Sequence, residues 1–223
     1  MNASLEKKDN SFEFSMRKSS SILLSSLSGY NKKEYIQKRV VDYIMIIVLL
    51  LVLWPIILYT IFRIKKESPG PIFFKQTRVG LDGKEFVCYK FRSMHINSHF
   101  NPYTQENDSR IFPFGQIMRK MRIDELAQFI NVLKGDMHLV GPRAEWNILV
   151  KQYENEISNY AMRHKVKPGI TGLAQVKYPY GRNVYDAEQK LLYDLDYIKR
   201  WSIVMEFKVL VETILVILKK SGV

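Results

Sequence analysis

The chain has 223 residues, enough for one ordinary domain and an appendage. Its 34 Lys and Arg against 22 Asp and Glu leave a formal charge of +12, which calls for an anionic partner: nucleic acid, a membrane surface or phosphorylated substrates. The single cysteine, Cys88, excludes an internal disulfide and fits a reducing compartment, and nothing suggests export of the folded part.

Residues 1–34 are polar and rich in Ser and Lys, with one short apolar patch, SILLSSL. They read as a flexible or interfacial arm without chemistry. From Val40 to Phe62 the sequence VVDYIMIIVLLLVLWPIILYTIF carries Asp42 as its only charge. As a helix it would run roughly 35 Å, enough to cross a hydrocarbon core of about 30 Å. It is too long and too late for a secretory signal and lacks a cleavage site. Lys32, Lys33, Lys38 and Arg39 precede it; Arg63, Lys65, Lys66, Lys75 and Arg78 follow. Basic residues mark the cytoplasmic side, and here both flanks carry them. Pro55 removes a backbone hydrogen bond and favours a kink. A helix that enters, breaks at Pro55 and returns would keep both flanks cytoplasmic; the rival is a kinked single span. The charge symmetry favours the re-entrant hairpin. The chain therefore divides into an arm (1–34), a membrane segment (35–64) and a cytosolic domain (65–223).

Next come two β-rich runs, Ile72–Val79 and Glu85–Phe91, around a Gly-Leu-Asp-Gly turn, which is a hairpin signature. Residues 93–113 form a polar loop. Its His95 and His99 have helical ligand spacing, but Asn101 and Pro102 follow at once, so both read as solvent-exposed. In RKMRIDELAQFINVLKGDMHLVGPR, Leu126, Phe129, Ile130 and Leu133 predict one apolar helix face that ends at Gly135. Asp124 and Glu125 then fall in the first turn, where acids meet the positive helix end. Further helices are expected at 144–153, at 158–165 behind a Ser158 cap, and at 184–200 with Val184, Ala187, Leu191, Leu195 and Ile198 on one side. The final WSIVMEFKVLVETILVILKK is apolar over most of its circumference. It fits a helix in the membrane interface, with a core helix as the alternative.

Two loops combine Gly or Pro with a basic residue: GDMHLVGPR (135–143) and KVKPGITGLAQV (165–176), the latter followed by GRNVYD. Their backbone N–H groups and side chains, Arg143, Gln175 and Arg182 among them, could converge on phosphate.

Taken in order, a Lys-Arg pair (Lys38, Arg39) before an apolar Pro-containing segment, PGPIFFKQTRVG, YKFRSM, IDELAQFINVLKGDMHLVGPR and KPGITGLAQV resemble the bacterial sugar transferases, the monotopic polyprenol-phosphate phosphoglycosyl transferases. The resemblance runs from about Lys38 to the C-terminus. It implies a minimal catalytic form without extra spanning helices. It also implies a mostly helical α+β domain with a small hairpin, anchored by a helix hairpin broken at Pro55. Trp54 stands where Ser is frequent, Met121, Arg122 and Ile123 where Thr-Ser-Leu is, and Ala144 where Pro is. None of these changes removes a group expected to do chemistry.

The resemblance implies transfer of a sugar phosphate from a nucleotide sugar, by default a UDP-sugar, to undecaprenyl phosphate. The expected place is the cytoplasmic face of a bacterial inner membrane, at the start of surface glycan synthesis. Asp124 is the expected nucleophile, an ionised carboxylate that needs no base, with Arg119 and Arg122 keeping it charged. Glu125 is the expected Mg²⁺ ligand, and Arg143 a phosphate clamp. Partners are then the two substrates and inner-membrane lipids, with a second copy of the chain a candidate and no nucleic acid. The alternative is a membrane-anchored basic module that binds acidic lipids or nucleic acid. It leaves an acidic pair inside the most basic turn unexplained, and no nucleic-acid motif occurs.

Overall fold

The computed structural model describes residues 32–96, 108–178 and 183–218; most of the polar arm, His99 and Arg182 lie outside them. Helices predominate. The longest, α1, spans Lys32–Glu67 and includes Pro55. Where a break into two half-helices was expected, the chain stays helical through the proline. Both ends of α1 pack on the same body: Lys38, Asp42 and Ile46 are buried at one end, Thr60 and Ile64 at the other. The middle is bare, with Leu51 70% and Val52 66% exposed.

The expected hairpin forms as β1 (Phe73–Val79) and β2 (Glu85–Phe91), antiparallel with Val79 opposite Glu85. Its turn uses left-handed Asp82 and Gly83, residue types that tolerate φ > 0. A short helix not anticipated from the sequence, α2 (Pro113–Lys120), starts with Pro in its first turn. Its first cap comes from a distance, because Phe114 N–H donates to Glu67 Oε2 at 2.8 Å. That ties it to the end of α1.

After α2 the chain makes a 3₁₀ turn, Ile123–Gln128, and only then α3, Phe129–Lys134, which Gly135 terminates in the left-handed conformation. The acids therefore sit on a 3₁₀ turn rather than in the first turn of an α-helix. The predicted apolar face is also only partly buried: Phe129 is in the core, and Leu133 is exposed.

The two Gly/Pro loops contain strands. β3 (His138–Val140) and β4 (Gly169–Thr171) pair in parallel. Backbones approach so closely here that a Cβ on Gly169 would lie 2.1 Å from Gly141 N, and one on Gly172 2.1 Å from Gly141 O. Only glycine fits either position.

α4 runs Asn147–Glu156, three residues later than predicted at each end. The stretch expected as a helix behind Ser158 is a 3₁₀ turn, Tyr160–Lys165, flanked by left-handed Asn159. α5 is Leu173–Lys177. α6, Val184–Lys199, matches its prediction and opens with a capping box between Asn183 and Asp186. Its Ala187, Leu191 and Leu195 pack with Val79, Val150 and Ile157. α7, Ile203–Leu218, buries Glu206 and Val209 but leaves Val204, Val211, Ile214 and Leu218 exposed.

Candidate active site

Asn131, fully buried in α3, behaves as a substitute strand. Its Oδ1 accepts from Tyr89 N–H at 3.0 Å, and its Nδ2 donates to the Val87 carbonyl at 2.7 Å. β2 is thereby pinned against α3, and Lys90, the next residue after Tyr89, lies over the acidic pair on the preceding 3₁₀ turn. Lys90 Nζ donates to Glu125 Oε1 at 3.0 Å and stands 3.9 Å from Asp124 Oδ2. Arg122, left-handed at φ 55°, turns the chain between α2 and the acids. That conformation is uncommon for Arg and is the kind of strain that functional turns store.

The second loop supplies the opposite wall. Arg143 Nη2 donates to Glu125 Oε1 at 3.0 Å, and Arg122 Nη1 lies 3.7 Å from Glu125 Oε2. The Arg143 carbonyl accepts from Arg163 Nη2 at 2.9 Å, and Arg163 forms a buried pair with Asp194 of α6 at 2.7 Å. Arg78 of β1 donates to the Ala144 carbonyl on the same loop. The loop is thus held from behind by charge-assisted bonds, which leaves its arginine aimed at the acids.

The two carboxylates differ. Burial would raise the pKa of Glu125, but Lys90, Arg143 and Arg122 outweigh it and hold the group well below the usual carboxylate range. Burial raises Asp124 instead; Lys90, Arg119 and Arg122 oppose the shift without overcoming it, and neighbouring Glu125 adds to it. Arg119 and Arg122 act on Asp124 in the expected direction, favouring its charged form, but it is the less acidic of the pair, because burial weighs more on it and fewer cations reach it directly. Environments that push two neighbouring carboxylates apart suit them to different roles.

Glu125 is ionised at neutral pH, as a metal ligand must be, and its Oε2 has only a distant arginine. No group of three or more His, Cys, Asp or Glu gathers among the described residues. Mg²⁺ needs no such cage, since it binds through one or two carboxylates together with water and substrate phosphates. The residues fit it. His95 is exposed and its ring meets Phe112 edge-on.

Of the residues selected from sequence, the fold brings Asp124, Glu125, Arg122 and Arg143 together, with Arg119 close enough to act on Asp124. Gln175 lines a pocket with Arg122 and Glu125; its Nε2 donates to the Ile170 carbonyl at 2.8 Å. Lys38 and Arg39 lie elsewhere: Lys38 pairs with Glu206, and Arg39 donates to the Val132 carbonyl at 3.0 Å. Trp54 and Pro55 are exposed on α1. Sequence reasoning missed Lys90. The YKFRSM run around it was a signal, but alternation along a strand does not tell which residue will meet a turn thirty-five positions away.

The chain matches the model of the family described as bacterial sugar transferase over residues 33–220. It is 43% identical, over 83% of its length, to the UDP-N-acetylgalactosamine-undecaprenyl-phosphate N-acetylgalactosaminephosphotransferase of Aeromonas hydrophila. It is 41% identical, again over 83%, to the UDP-glucose:undecaprenyl-phosphate glucose-1-phosphate transferase of Xanthomonas campestris pv. campestris. A Bacillus subtilis protein named uncharacterized sugar transferase EpsL is 40% identical over 84% of the chain. The match spans 44% and 40% of the first two relatives' own lengths and 90% of the third's.

Proposed function

This chain belongs to the bacterial sugar transferase family, and we propose that it transfers a sugar 1-phosphate from a UDP-sugar to undecaprenyl phosphate, releasing UMP. The observation that carries the reading is one buried carboxylate pair, roofed by Lys90 and walled by Arg122 and Arg143. Two relatives bear names for this reaction with different sugars. A module that merely bound anions would gain nothing from burying two acids among its cations.

In the first step a carboxylate oxygen of Asp124 attacks the phosphorus that bears the sugar. The bond from that phosphorus to the bridging oxygen breaks, and UMP departs with the electron pair. In the second, an oxygen of the lipid phosphate attacks the same phosphorus, and the Asp124 carboxylate leaves. The charges on the phosphoryl oxygens face Lys90 and Arg143, already held in place by Asn131 and Arg163. Arg119 and Arg122 hold the approaching diphosphate. Glu125, ionised throughout, would hold Mg²⁺, which when bound neutralises negative charge on the phosphates. Two anionic substrates never need to meet, since each meets only the enzyme.

The acceptor's tail stays in the bilayer, and the chain is built to reach it there. An 18-residue window of α1 has a mean hydropathy of 2.9. Both ends of α1 rest on the one catalytic body, and both carry basic residues, which supports a re-entrant seat on the cytoplasmic face of the inner membrane. The bare apolar side of α7 fits the interface beside it. Such a product begins surface glycan assembly.

The test uses a panel of nucleotide sugars and no lipid. One nucleoside monophosphate should be released per active site, leaving an adduct that mass spectrometry places on Asp124 and hydroxylamine removes. Release that waits for lipid would mean direct transfer and would remove Asp124 from the role of nucleophile.

A further inference from the structure

A pocket of about 110 Å³ opens beside the acids, between the 3₁₀ turn and α7. Arg122 and Glu125 are the charged residues of its lining. Its walls are aliphatic and aromatic: Leu126, Phe129, Ile170, Val176, Val216 and Ile217. We infer that this pocket receives the phosphate-proximal isoprene unit of the polyprenyl phosphate acceptor, so that α7 is the acceptor-guiding element; the inference rests on the transferase reading above.

The polar atoms of the lining are largely occupied within the protein. Thr171 and Thr213 share a hydrogen bond of 2.7 Å, and Thr213 Oγ1 also donates to the Val209 carbonyl at 2.7 Å. Gln175 commits its Nε2 to the Ile170 carbonyl, which leaves Oε1 as a buried acceptor without a partner. A sugar ring would bring several hydroxyls to walls that, apart from Arg122 and Glu125, offer one such acceptor, and burying the rest unpaired is costly. A branched hydrocarbon with an anionic head brings no such demand: Arg122 faces the head and six apolar side chains face the tail. The occupant also has an exit. Thr213, Val216 and Ile217 form one helical stripe (i, i+3, i+4), half-buried along the pocket. The adjoining stripe, Val211, Ile214, Leu215 and Leu218, is exposed and apolar. A chain too long for the pocket can run from one stripe to the next without leaving apolar surface.

Val216→Trp should fill the pocket without touching Asp124. In the variant, monophosphate release from the nucleotide sugar alone should match the parent, while KM for undecaprenyl phosphate rises at least about tenfold. Independently, a polyprenyl phosphate bearing a diazirine on its first isoprene, photolysed with the parent enzyme, should label the 213–217 stripe; this keeps the question decidable should the variant fail to fold. An unchanged KM, or labelling confined to other elements, overturns the assignment. Loss of lipid-free monophosphate release in a folded variant also overturns it and gives the pocket to the donor sugar. A parent that releases no monophosphate from any nucleotide sugar, with or without undecaprenyl phosphate, defeats the transferase reading, and the acceptor assignment falls with it.

Discussion

Asp124 combines burial with a duty to be charged, and the two conflict. A buried carboxylate whose folded pKa lies above its unfolded value costs the fold free energy once the pH exceeds the unfolded value. Asp124→Asn should therefore abolish turnover while leaving the Tm at pH 7 equal to or above that of the parent. A fall in Tm would mean that the carboxylate is a structural partner of Lys90. The same raised pKa sets the acid limb of the rate profile: kcat/KM should fall on acidification at a pH above the ordinary aspartate value of about 3.9. On the proposed function, Lys90 and Arg143 belong to the opposite class, cations fixed where phosphoryl charge would arise. Lys90→Met should lower kcat by on the order of a hundredfold. Arg143→Lys keeps the charge but loses the planar fork, so it should lose activity as well. A fully active Arg143→Lys enzyme would reduce that residue to background charge.

Among the elements, α1 is the one whose sequence and packing speak differently. By composition it is a span; by contact it is a strut with both ends on one body. Asp42, the lone acid of the apolar run, is fully buried and accepts from His138 Nδ1 at 2.5 Å and from Leu139 N–H at 3.1 Å. An acid that looked out of place in a membrane segment thus anchors β3, two residues from the Gly-Pro-Arg loop. If both ends lie on the cytoplasmic side, single cysteines at Lys33 and at Lys66 will both resist an impermeant thiol reagent in intact cells. Labelling of only one would establish a true crossing. The short strands β3 and β4 depend on glycine in a similar way. Gly169→Ala places a methyl on backbone with nowhere to retreat, and it should disrupt the loop that carries Arg143.

At the scale of the molecule, one buried network joins the beginning of the described chain to its end. Lys38 Nζ donates to Glu206 Oε2 at 2.6 Å and to Tyr197 Oη at 2.9 Å; Trp201 Nε1 donates to Glu206 Oε1 at 2.7 Å; Tyr197 Oη reaches the Val140 carbonyl at 3.1 Å. Removing one charge of a buried pair strands the other. Lys38→Met should therefore destabilise the protein by about 3–5 kcal/mol, and adding Glu206→Leu should recover much of the loss. Thermal unfolding in detergent distinguishes this from additive damage. Acid should also loosen the whole body. Burial, aided by Lys38, lowers His138 to about pH 4, and burial with Arg163 lowers His164 to about 4. Both must stay neutral in the fold while the unfolded chain binds protons, so stability should fall as pH drops from about 6.5 towards 4. Replacing His138 with Asn should flatten that slope.

Much of this was legible in the sequence, wherever the signal was short-ranged. Alternation around a Gly-Leu-Asp-Gly turn specified the hairpin, and the 3.6-residue period from Val184 to Ile198 specified α6. An acidic pair among arginines, in the company of its motifs, specified the chemistry to expect. What only the tertiary structure decided was which cation meets which acid. Lys90 reaches Glu125 across 35 residues, Asp42 reaches His138 across 96, and Lys38 reaches Glu206 across 168. The two loops without any period turned out to be parallel strands, because their pairing depends on glycine permitting close backbone approach. Period and turn chemistry are properties of neighbours along the chain. Desolvation and ion pairing depend on who is nearby in space, and they set Asp124 and Glu125, adjacent in sequence, apart.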